Sequence, residues 1–490
     1  MFSNLRFLRF FSTIGLIGIL SKCLKEERLS NNWFYKNLVL PQLKSAIESH
    51  GIFFIKIAQQ LADRTDLLPS SICQLLGSFT ENCAIENWMS VVETIRSEFS
   101  IDELNRIKFK HENEYYFIND LPRNSRPVPL ASGSVSQLYR IQYDGHDCVI
   151  KVKHREYRQL DQTKLDQQIT DLKTIYGYGK QYTSVGAFKA DLTHLIKQVI
   201  DQFDFENESQ NLIKFGKLFE NNSYVVIPKY YKNTSSTIIM SYEEGTSLHN
   251  VPSDRVHNVC NNLIPAIIYQ LIYVDNYFHC DLHHGNIKYR SSGNIDQIVI
   301  YDFGLVTPMS PDMVNFFLQS TTMKPSSIIE YLLKSQFIYN LNNEMAEKIR
   351  ANIGQLDQSF ENDTEIIFAD NLINFINNFG GSINSQYLLL LLSLGSRTAH
   401  AKEIKSRFIV TEQRSITIIT AQLINNISQF CQDKPEFKNL YLFCQQYIEK
   451  YDVTNRLEQY LCKYYDNLSK LLDEDPALED SLVESSPKVE

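Results

Sequence analysis

The 490-residue sequence predicts an α+β fold in which a strand-rich lobe follows a helical N-terminal extension and precedes a larger, mostly helical lobe. Three observations support this order. Apolar residues recur at three- and four-residue intervals from Trp33 to Arg106, β-rich runs replace them between Tyr115 and Val152, and helical spacing returns after Ala266. Hydrophobic residues make up 43 % of the chain and charged residues 21 %, so the sequence can bury a large core.

Charge and cysteine content narrow the classes of function. The chain has 48 Lys and Arg against 57 Asp and Glu, which gives a net charge of −9. General nucleic-acid binding needs a basic surface to neutralise phosphates, so we expect no nucleic-acid partner. The nine cysteines are widely spaced and include no Cys-x-x-Cys pair. This pattern indicates neither a disulfide framework nor a zinc site, and it favours a reducing compartment.

The two ends of the chain differ in composition from the rest. Within residues 1–30, the stretch from Phe2 to Lys25 contains four basic residues and no acid, around an apolar run from Phe10 to Leu20, and the first acid is Glu26. That run is about half of the roughly 20 residues that a spanning helix needs. A targeting sequence, a membrane anchor and an amphipathic surface helix all fit this segment. Residues 473–490 are acidic and are predicted to form a disordered tail.

The remaining residues divide into three predicted units. Residues 31–110 form a helical extension, residues 111–245 a strand-rich lobe, and residues 246–472 a helical lobe. Within the strand-rich lobe, Asp144-Gly145 predicts a hairpin turn, and a polar helical segment is expected from Arg155 to Phe219. The β-type runs are Tyr115–Ile118, Val135–Tyr143, Cys148–Val152, Tyr224–Ile227, Thr237–Ser241 and Ile298–Tyr301.

Two short motifs in the second lobe indicate phosphoryl transfer. Asp281 is followed five residues later by Asn286, the spacing of a kinase catalytic loop, and Asp302 begins an Asp-Phe-Gly triplet after an apolar run. Asp281 can position or deprotonate an attacking hydroxyl, while Asn286 and Asp302 offer the hard oxygen ligands that suit Mg²⁺. Together with the lobe order, these motifs predict a protein-kinase-like bilobal fold that binds ATP and Mg²⁺.

A lysine within an apolar run is the candidate for holding nucleotide phosphates. Lys151 lies in Cys148–Val152, where a buried ammonium needs a phosphate or carboxylate partner. Glu206 and Glu208 are the candidate carboxylates, and we favour Glu208; in an alternative interpretation Lys151 faces water at a strand edge. A loop of small residues that covers the phosphates is predicted upstream of this run. Its candidate contacts are Ala131, Ser132, Gly133, Ser134 and Gln137.

This set of motifs resembles the UbiB/ADCK (AarF-domain) family of atypical kinases. The segment Lys56-Ile57-Ala58-Gln59 is similar to the family's K-x-G-Q signature, and the loop from Ala131 to Gln137 is similar to its alanine-rich loop. The R-x-D-x-x-P pattern that follows the signature is matched by Arg64, Asp66 and Pro69. Departures from the family's glycine, alanines and glutamate occur at Ala58, Ser132, Gly133 and Gln202.

The resemblance implies a Mg²⁺- and ATP-dependent kinase or ATPase that acts in ubiquinone-related or isoprenoid-lipid metabolism at a membrane. It implies catalytic roles for Asp281, Lys151 and Glu208. Lys56 and Gln59, three residues apart on one helix face, would shape the acceptor site. The implied partners are ATP, an isoprenoid or quinone-like lipid and a membrane surface. The implied location is a mitochondrial membrane or the cytoplasmic face of a bacterial inner membrane.

The residues alone leave other classes of function open. The catalytic loop also fits a small-molecule phosphotransferase of the choline or aminoglycoside kind, for which the likeness at Lys56 and Gln59 would be a coincidence. A non-catalytic scaffold that binds a nucleotide or a lipid is the second alternative, and a true protein kinase is the third. For the catalytic loop itself, a metal site is the alternative, with the ligands His279, His283 and His284.

Overall fold

The computed structural model describes the chain in segments with gaps between them. The described residues are 32–50, 52–61, 70–81, 85–121, 126–133, 135–158, 163, 165–171, 173–174, 200–280, 282, 285–320, 325–334, 338–339, 342–353, 376, 382–383, 416–450, 452 and 454. The predictions for both ends of the chain, residues 1–30 and 473–490, therefore lie outside them. So do the predictions for Arg64, Asp66, Pro69, Ser134, Asp281, His283 and His284.

Short helices form the predicted extension. They are α1 (Leu40–His50), α2 (Ile52–Leu61), α3 (Ser70–Glu81), α4 (Trp88–Glu98) and α5 (Ile101–Leu104). The Asn87 side chain caps α4 by accepting a hydrogen bond from the N–H of Met89. The Trp88 ring packs edge-on against Phe109, with ring centroids 5.1 Å apart, and lies 5.2 Å from Tyr139. Because Phe109 and Tyr139 belong to the first lobe, this aromatic cluster fixes the extension onto that lobe.

A seven-stranded antiparallel sheet forms the first lobe. Its strands are β1 (Ile107–His111), β2 (Glu114–Phe117), β3 (Ala131–Ser132), β4 (Ser136–Tyr143), β5 (His146–Lys153), β7 (Tyr230–Asn233) and β8 (Thr237–Ser241). The intervening strand β6 (Val225–Val226) belongs to another sheet. The order is β2-β1-β4-β5-β8-β7, with β3 paired to β4. Asp144 and Gly145 join β4 to β5 with φ of 49° and 81°, as a type I′ turn requires. The predicted hairpin is confirmed.

One helix carries the predicted glutamates across to the sheet. The predicted polar helical segment contains α6 (Arg155–Arg158), helical residues at 165–171, and α7 (Phe205–Leu218). The Asp204 side chain caps α7 by accepting a hydrogen bond from the Glu206 N–H. Residues 205, 208, 209, 212 and 215 are buried, and this three- to four-residue spacing defines one apolar face. Glu208 lies on that buried face, whereas Glu206 is exposed.

The second lobe combines helices with short strands. Its strands are β9 (Tyr277–His279), β10 (Ile287–Ser292), β11 (Ile295–Ile300), β12 (Val306–Pro308), β13 (Ile338–Tyr339) and β14 (Ser382–Ile383). Its helices are α8 (Ser253–Asn258), α9 (Ile264–Tyr269), α10 (Pro311–Ser320), α11 (Pro325–Lys334), α12 (Asn343–Asn352), α13 (Ile416–Cys431) and α14 (Lys438–Lys450). One apolar core joins Phe215 of α7, Ile298 of β11 and Leu440 of α14, so the two lobes share buried surface. No helix in the described segments is long and apolar enough to cross a bilayer.

The second lobe contains more strands than the sequence predicts. The single predicted run, Ile298–Tyr301, corresponds to β11, while β9, β10, β12, β13 and β14 were not predicted. β10 pairs with β11 through Ile287 opposite Ile300, and its alternation of buried and exposed residues is that of a half-buried strand. β9 and β12 are three residues each and, among the described residues, form a two-stranded sheet with one another. Segments this short have no usable periodicity, so their strand geometry comes from the pairing.

We expect the aromatic cluster to make a large contribution to stability. Replacing the fully buried Phe109 by Ala should lower the free energy of unfolding by about 3–5 kcal/mol, because the substitution removes apolar contacts and leaves a cavity beside Trp88. Urea titration followed by tryptophan fluorescence measures this change. The chain has two tryptophans, Trp88 at 7 % exposure and Trp33 at 70 %, so a Trp33→Phe background isolates the buried reporter. As a control, Ile101→Ala at an exposed position should change stability by less than about 0.5 kcal/mol.

Candidate active site

Lys151 and Glu208 form a buried ion pair between the sheet and α7. Their side chains are 8 % and 4 % exposed, and Lys151 Nζ lies 2.6 Å from Glu208 Oε1. The central strand β5 supplies the lysine, and the apolar face of α7 supplies the carboxylate. Glu206 instead accepts a hydrogen bond from the Asn233 amide. The alternative in which Lys151 faces water is wrong, because the sheet and α7 cover it.

Asp302 provides a second carboxylate for the same ammonium. Its Oδ1 lies 3.5 Å from Lys151 Nζ, and its side chain is 42 % exposed. The φ of Asp302 is 57°, a left-handed conformation that aspartate tolerates better than most residues. Oδ1 also accepts a hydrogen bond from the Gly304 N–H at 3.1 Å. A Cβ on Gly304 would lie 3.3 Å from that oxygen, so glycine leaves room for this turn, which directs the carboxylate toward Lys151.

The charges of this cluster reinforce one another. Burial alone would lower the pKa of Lys151, but the negative charges of Asp302 and Glu208 raise it above its ordinary value. Partial burial tends to raise the pKa of Asp302, yet the Lys151 ammonium, the Gly304 N–H and the charge of Lys56 lower it to about 2. Lys151 and Asp302 are therefore both ionised at neutral pH. A fixed ammonium beside a partly exposed carboxylate can bind phosphate oxygens and a divalent cation on adjacent atoms.

Side chains of Asn211, Phe215 and His279 hold the backbone around Asp302. The Asn211 amide of α7 donates to the Phe303 carbonyl at 3.0 Å, and the Phe303 ring lies 5.2 Å from the Phe215 ring. His279 Nε2 lies 2.8 Å from the Asp302 carbonyl oxygen. A carbonyl can only accept, so Nε2 carries the proton. His279 thus uses this nitrogen to hold the backbone, which is not the role of a metal ligand that the alternative interpretation gave it.

Sequence reasoning missed the positioning contacts of His279 and Asn211. A signal existed for each. His279 precedes Asp281 by two residues in the catalytic-loop motif, and Asn211 follows Glu208 by three residues, which places both on one face of α7. Neither signal identifies the bond that forms, because the acceptors are backbone carbonyls of the Asp-Phe-Gly segment.

Asn286 lies beside Asp302 because two strands bring their ends together. Tyr301 N–H donates to the Asn286 carbonyl at 2.8 Å, immediately before Asp302 in the chain. An amide oxygen and an ionised, partly exposed carboxylate are hard ligands, and Mg²⁺ typically takes only one or two protein carboxylates together with substrate phosphates. The residues present fit a Mg²⁺ ion. Asp281, the predicted base, lies outside the described residues, and its role stays a prediction.

The predicted phosphate loop folds back on the sheet. Ala131 pairs with Leu138, and the Gly133 N–H donates to the Ser136 carbonyl at 2.9 Å. The Ser132 hydroxyl is buried and has no hydrogen-bond partner among the described residues. Gln137 is completely buried, and its carbonyl oxygen accepts the Glu86 N–H at 3.2 Å. The side-chain nitrogen of Gln137 likewise has no hydrogen-bond partner among the described residues, so both Ser132 and Gln137 keep an unused polar atom. Gln137 also supports the loop through the sheet.

The two signature residues on helix α2, Lys56 and Gln59, differ in their relation to the site. Lys56 is half-buried, and its charge contributes to the lowered pKa of Asp302, so α2 lies within electrostatic range of the cleft. Gln59 donates its amide N–H to the Phe79 carbonyl at 2.8 Å. That bond joins α2 to α3. Ala58, where the family has glycine, is 4 % exposed, so the extra methyl group is accommodated within the packing of α2.

A two-lobed fold with an antiparallel sheet, a lysine–glutamate pair and an Asp-Phe-Gly turn defines a protein-kinase-like protein. Residues 118–324 match the family model of the ABC1 atypical kinase-like domain. This match, together with relatives named UbiB and aarF domain-containing protein kinase, confirms the resemblance to the UbiB/ADCK family seen in the sequence.

Several curated proteins are similar in sequence. An uncharacterized protein of Synechocystis is 26 % identical over 68 % of this chain and 83 % of its own length. The probable serine/threonine-protein kinase abkC of Dictyostelium discoideum is 25 % identical over 52 % of this chain and 36 % of its own length. The probable protein kinase UbiB of Marinobacter nauticus is 24 % identical over 55 % of this chain and 48 % of its own length. The chain spans less than half the length of the latter two relatives.

Two solved structures are similar in outline. A complex of Rv3197 with erythromycin from Mycobacterium tuberculosis has 15 % identity and a TM-score of 0.34, and covers 61 % of this chain and 74 % of its own. The Rio2 kinase of Chaetomium thermophilum, in a complex with ADP/Mg²⁺ and phosphoaspartate, has 12 % identity and a TM-score of 0.24. The match covers 69 % of this chain and 98 % of the Rio2 chain.

Breaking the buried ion pair on one side should cost more than removing it altogether. Lys151→Met leaves Glu208 buried without its counter-charge, and we expect a loss of about 3–5 kcal/mol in the free energy of unfolding. The double variant Lys151→Met/Glu208→Leu leaves no buried charge and should be more stable than Lys151→Met. Urea unfolding of both single variants and the double variant measures the coupling. Additive losses would contradict the ion-pair description.

The stability of the single variant Lys151→Met should depend on pH in a defined direction. Burial raises the pKa of Glu208, and in Lys151→Met no ammonium opposes that effect. The folded variant then binds a proton more tightly than its unfolded chain does, so its stability is retained at acid pH and lost as the pH rises. The difference in the free energy of unfolding between Lys151→Met and wild type should therefore become smaller as the pH falls. A difference that stays constant with pH would mean that Glu208 is not the group left unpaired.

Proposed function

We propose that this protein is an atypical kinase or ATPase of the UbiB/ADCK type that uses Mg²⁺ and ATP. The observation that carries the proposal is the assembled cluster of Lys151, Glu208 and Asp302, with Nζ 2.6 Å and 3.5 Å from the two carboxylates. A purely structural ion pair would not require Asp302 to stay 42 % exposed in a left-handed turn held by three other residues. That partly exposed carboxylate supports a site built for a ligand.

Each residue of the site has a role that follows from its chemistry. Lys151, oriented by Glu208, holds phosphate oxygens as a fixed positive charge. Asn286 and Asp302 would hold Mg²⁺, which supplies charge neutralisation between phosphate groups when bound. The Ser132 hydroxyl can donate a hydrogen bond to a phosphate oxygen beneath the loop. Asp281 accepts the proton of the attacking hydroxyl or water, as its motif predicts.

The acceptor and location belong to the same proposal. Lys56 of α2 adds positive charge near Asp302, at the side of the cleft where a phosphoryl acceptor would approach. We propose that Lys56 and Gln59 shape that approach and that the acceptor, or the activator of hydrolysis, is an isoprenoid or quinone-like lipid at a membrane surface. The support for the lipid is the resemblance to the UbiB/ADCK family.

Substitution of Asp302 tests the catalytic assignment. Asp302→Asn keeps the size of the side chain and removes its charge, so Mg²⁺-dependent hydrolysis of ATP by the purified full chain should fall about 100-fold or more. The control is Asp254→Asn, at a 76 % exposed carboxylate in the first turn of α8, and it should leave turnover unchanged. Undiminished Mg²⁺-dependent hydrolysis in Asp302→Asn would contradict the assignment.

The same assay separates the rival functions. ATP turnover is measured alone, with liposomes containing anionic lipid, and with quinone-like phenols added. Stimulation by liposomes or phenols is the expected result. Robust phosphorylation of a soluble amine or sugar alcohol would favour a small-molecule phosphotransferase, and transfer to protein substrates would favour a protein kinase. Tight Mg²⁺-dependent ATP binding without turnover under any of these conditions would favour a non-catalytic scaffold.

A further inference from the structure

A partly buried glutamate outside the site accepts hydrogen bonds from α4 and from the segment that follows β5. Glu86 lies just before α4, and its side chain is 11 % exposed. Its carboxylate accepts hydrogen bonds from the Arg158 guanidinium at 2.5 Å, from the Arg155 backbone N–H at 2.9 Å and from the Ser90 hydroxyl. Burial would raise the pKa of Glu86, but these donors and His154 lower it to about 2. Glu86 is therefore a fixed negative charge where α4 meets the segment after β5.

His154 connects that charge to the phosphate loop. Its Nδ1 lies 3.6 Å from Glu86 Oε2, and its Nε2 lies 2.9 Å from the Gly133 carbonyl oxygen. The carbonyl can only accept, so Nε2 is the donor. The backbone N–H of His154 also donates to the Val135 carbonyl at 2.9 Å. His154 therefore holds both sides of the turn at Gly133, through its ring and through its backbone.

A second connection runs through the backbone of Glu86. Its N–H donates to the side-chain oxygen of Gln137 at 3.2 Å, and Gln137 pairs with Ser132 across β3 and β4. The same residue of the extension thus reaches the loop from two directions. One connection ends at Gly133 and the other at Ser132, the two loop residues that depart from the family's alanines.

We propose that Glu86 and His154 are positioning residues that hold the phosphate loop, at residues 131–133 and 135–136, in its binding conformation, and that they make this conformation depend on the helical extension. The inference rests on the proposed function, which gives the loop a triphosphate to bind. A loop that must be ordered on binding spends part of the interaction energy on that ordering, whereas a loop held in place does not. Small residues make this loop intrinsically free to move, so external anchors matter more here than in a bulky loop.

Paired substitutions at His154 separate positioning from simple stability. A glutamine amide can place its nitrogen near the position of Nε2, whereas an asparagine amide reaches only the position of Nδ1. His154→Gln should keep the bond to Gly133 and bind Mg²⁺-ATP within about threefold of wild type. His154→Asn should lose that bond and bind about tenfold more weakly. Glu86→Gln, which removes the charge shared by His154 and Arg158, should weaken binding in the same direction.

Glu98 offers a matched control at the opposite end of α4. Its carboxylate accepts the Ser235 hydroxyl at 2.8 Å and the Ser236 N–H at 3.1 Å, and these bonds likewise lower its pKa. They anchor α4 to the turn before β8 instead of to the loop. Glu98→Gln should therefore destabilise the fold to a degree comparable with Glu86→Gln and leave nucleotide binding unchanged.

Two measurements on the full chain decide the proposal. The first is the dissociation constant for ATP with Mg²⁺, and for the non-hydrolysable analogue AMP-PNP, in each variant, with the thermal midpoint recorded in parallel. The second is amide hydrogen exchange at residues 131–136 without nucleotide. We expect exchange there to accelerate in His154→Asn and Glu86→Gln, and to match wild type in His154→Gln and Glu98→Gln.

The outcomes separate this inference from the proposed function. If wild type binds the nucleotide and His154→Asn binds it equally well, or if Glu98→Gln weakens binding as much as Glu86→Gln, the positioning role is overturned. If wild type binds no nucleotide, the proposed function fails. In that case amide hydrogen exchange at the loop alone tests whether His154 anchors the loop. Faster exchange in His154→Asn but not in His154→Gln supports the anchoring role, and equal exchange in the two variants overturns it.

Discussion

A lysine ammonium withdrawn from water is the constraint on which the arrangement of both lobes depends. Lys151 is 6 % exposed within a strand whose neighbours are apolar, and an isolated buried charge of this kind would be too costly to keep. The protein meets this requirement with two carboxylates from different elements, Glu208 on α7 and Asp302 after β11. Because both must reach one nitrogen, the sheet, the helix and the Asp-Phe-Gly turn are fixed relative to one another.

The surrounding packing makes that convergence rigid. Phe215 of α7 contacts Phe303 and His279, so the helix that carries Glu208 also packs against the segment that carries Asp302. The Asn211 and His279 hydrogen bonds fix two successive carbonyls of that segment. The Asp302 carboxylate stays partly exposed while its backbone is held on every side. Rigid backbone around one accessible charged group is the arrangement that electrostatic stabilisation of a bound phosphate requires.

The helical extension acts on this centre through two residues. Lys56 contributes positive charge toward Asp302, and Glu86 reaches the phosphate loop through His154 and Gln137. The aromatic cluster around Trp88 joins the extension to the sheet. Apolar packing therefore sets the position of the extension, and the polar contacts of Glu86 connect that position to the phosphate loop. Gln202, where the family has glutamate, has a buried side-chain oxygen without a partner among the described residues. The missing carboxylate leaves Asp302 and Glu208 as the acidic groups whose charges act on Lys151.

The sequence by itself determined the order of the lobes, the hairpin at Asp144-Gly145, and the residue types of the site, including Lys151, Glu208 and Asp302. These follow from local rules, since periodicity, turn propensity and motif spacing act over a few residues. Tertiary structure decided what those rules do not reach: that Glu208 and not Glu206 contacts the lysine, that β9 and β12 are strands, and that His279 holds the Asp302 backbone. Glu86 and His154, 68 residues apart in sequence, carry no motif. Their contact exists because α4 packs on the sheet, and that packing is a property of the whole fold.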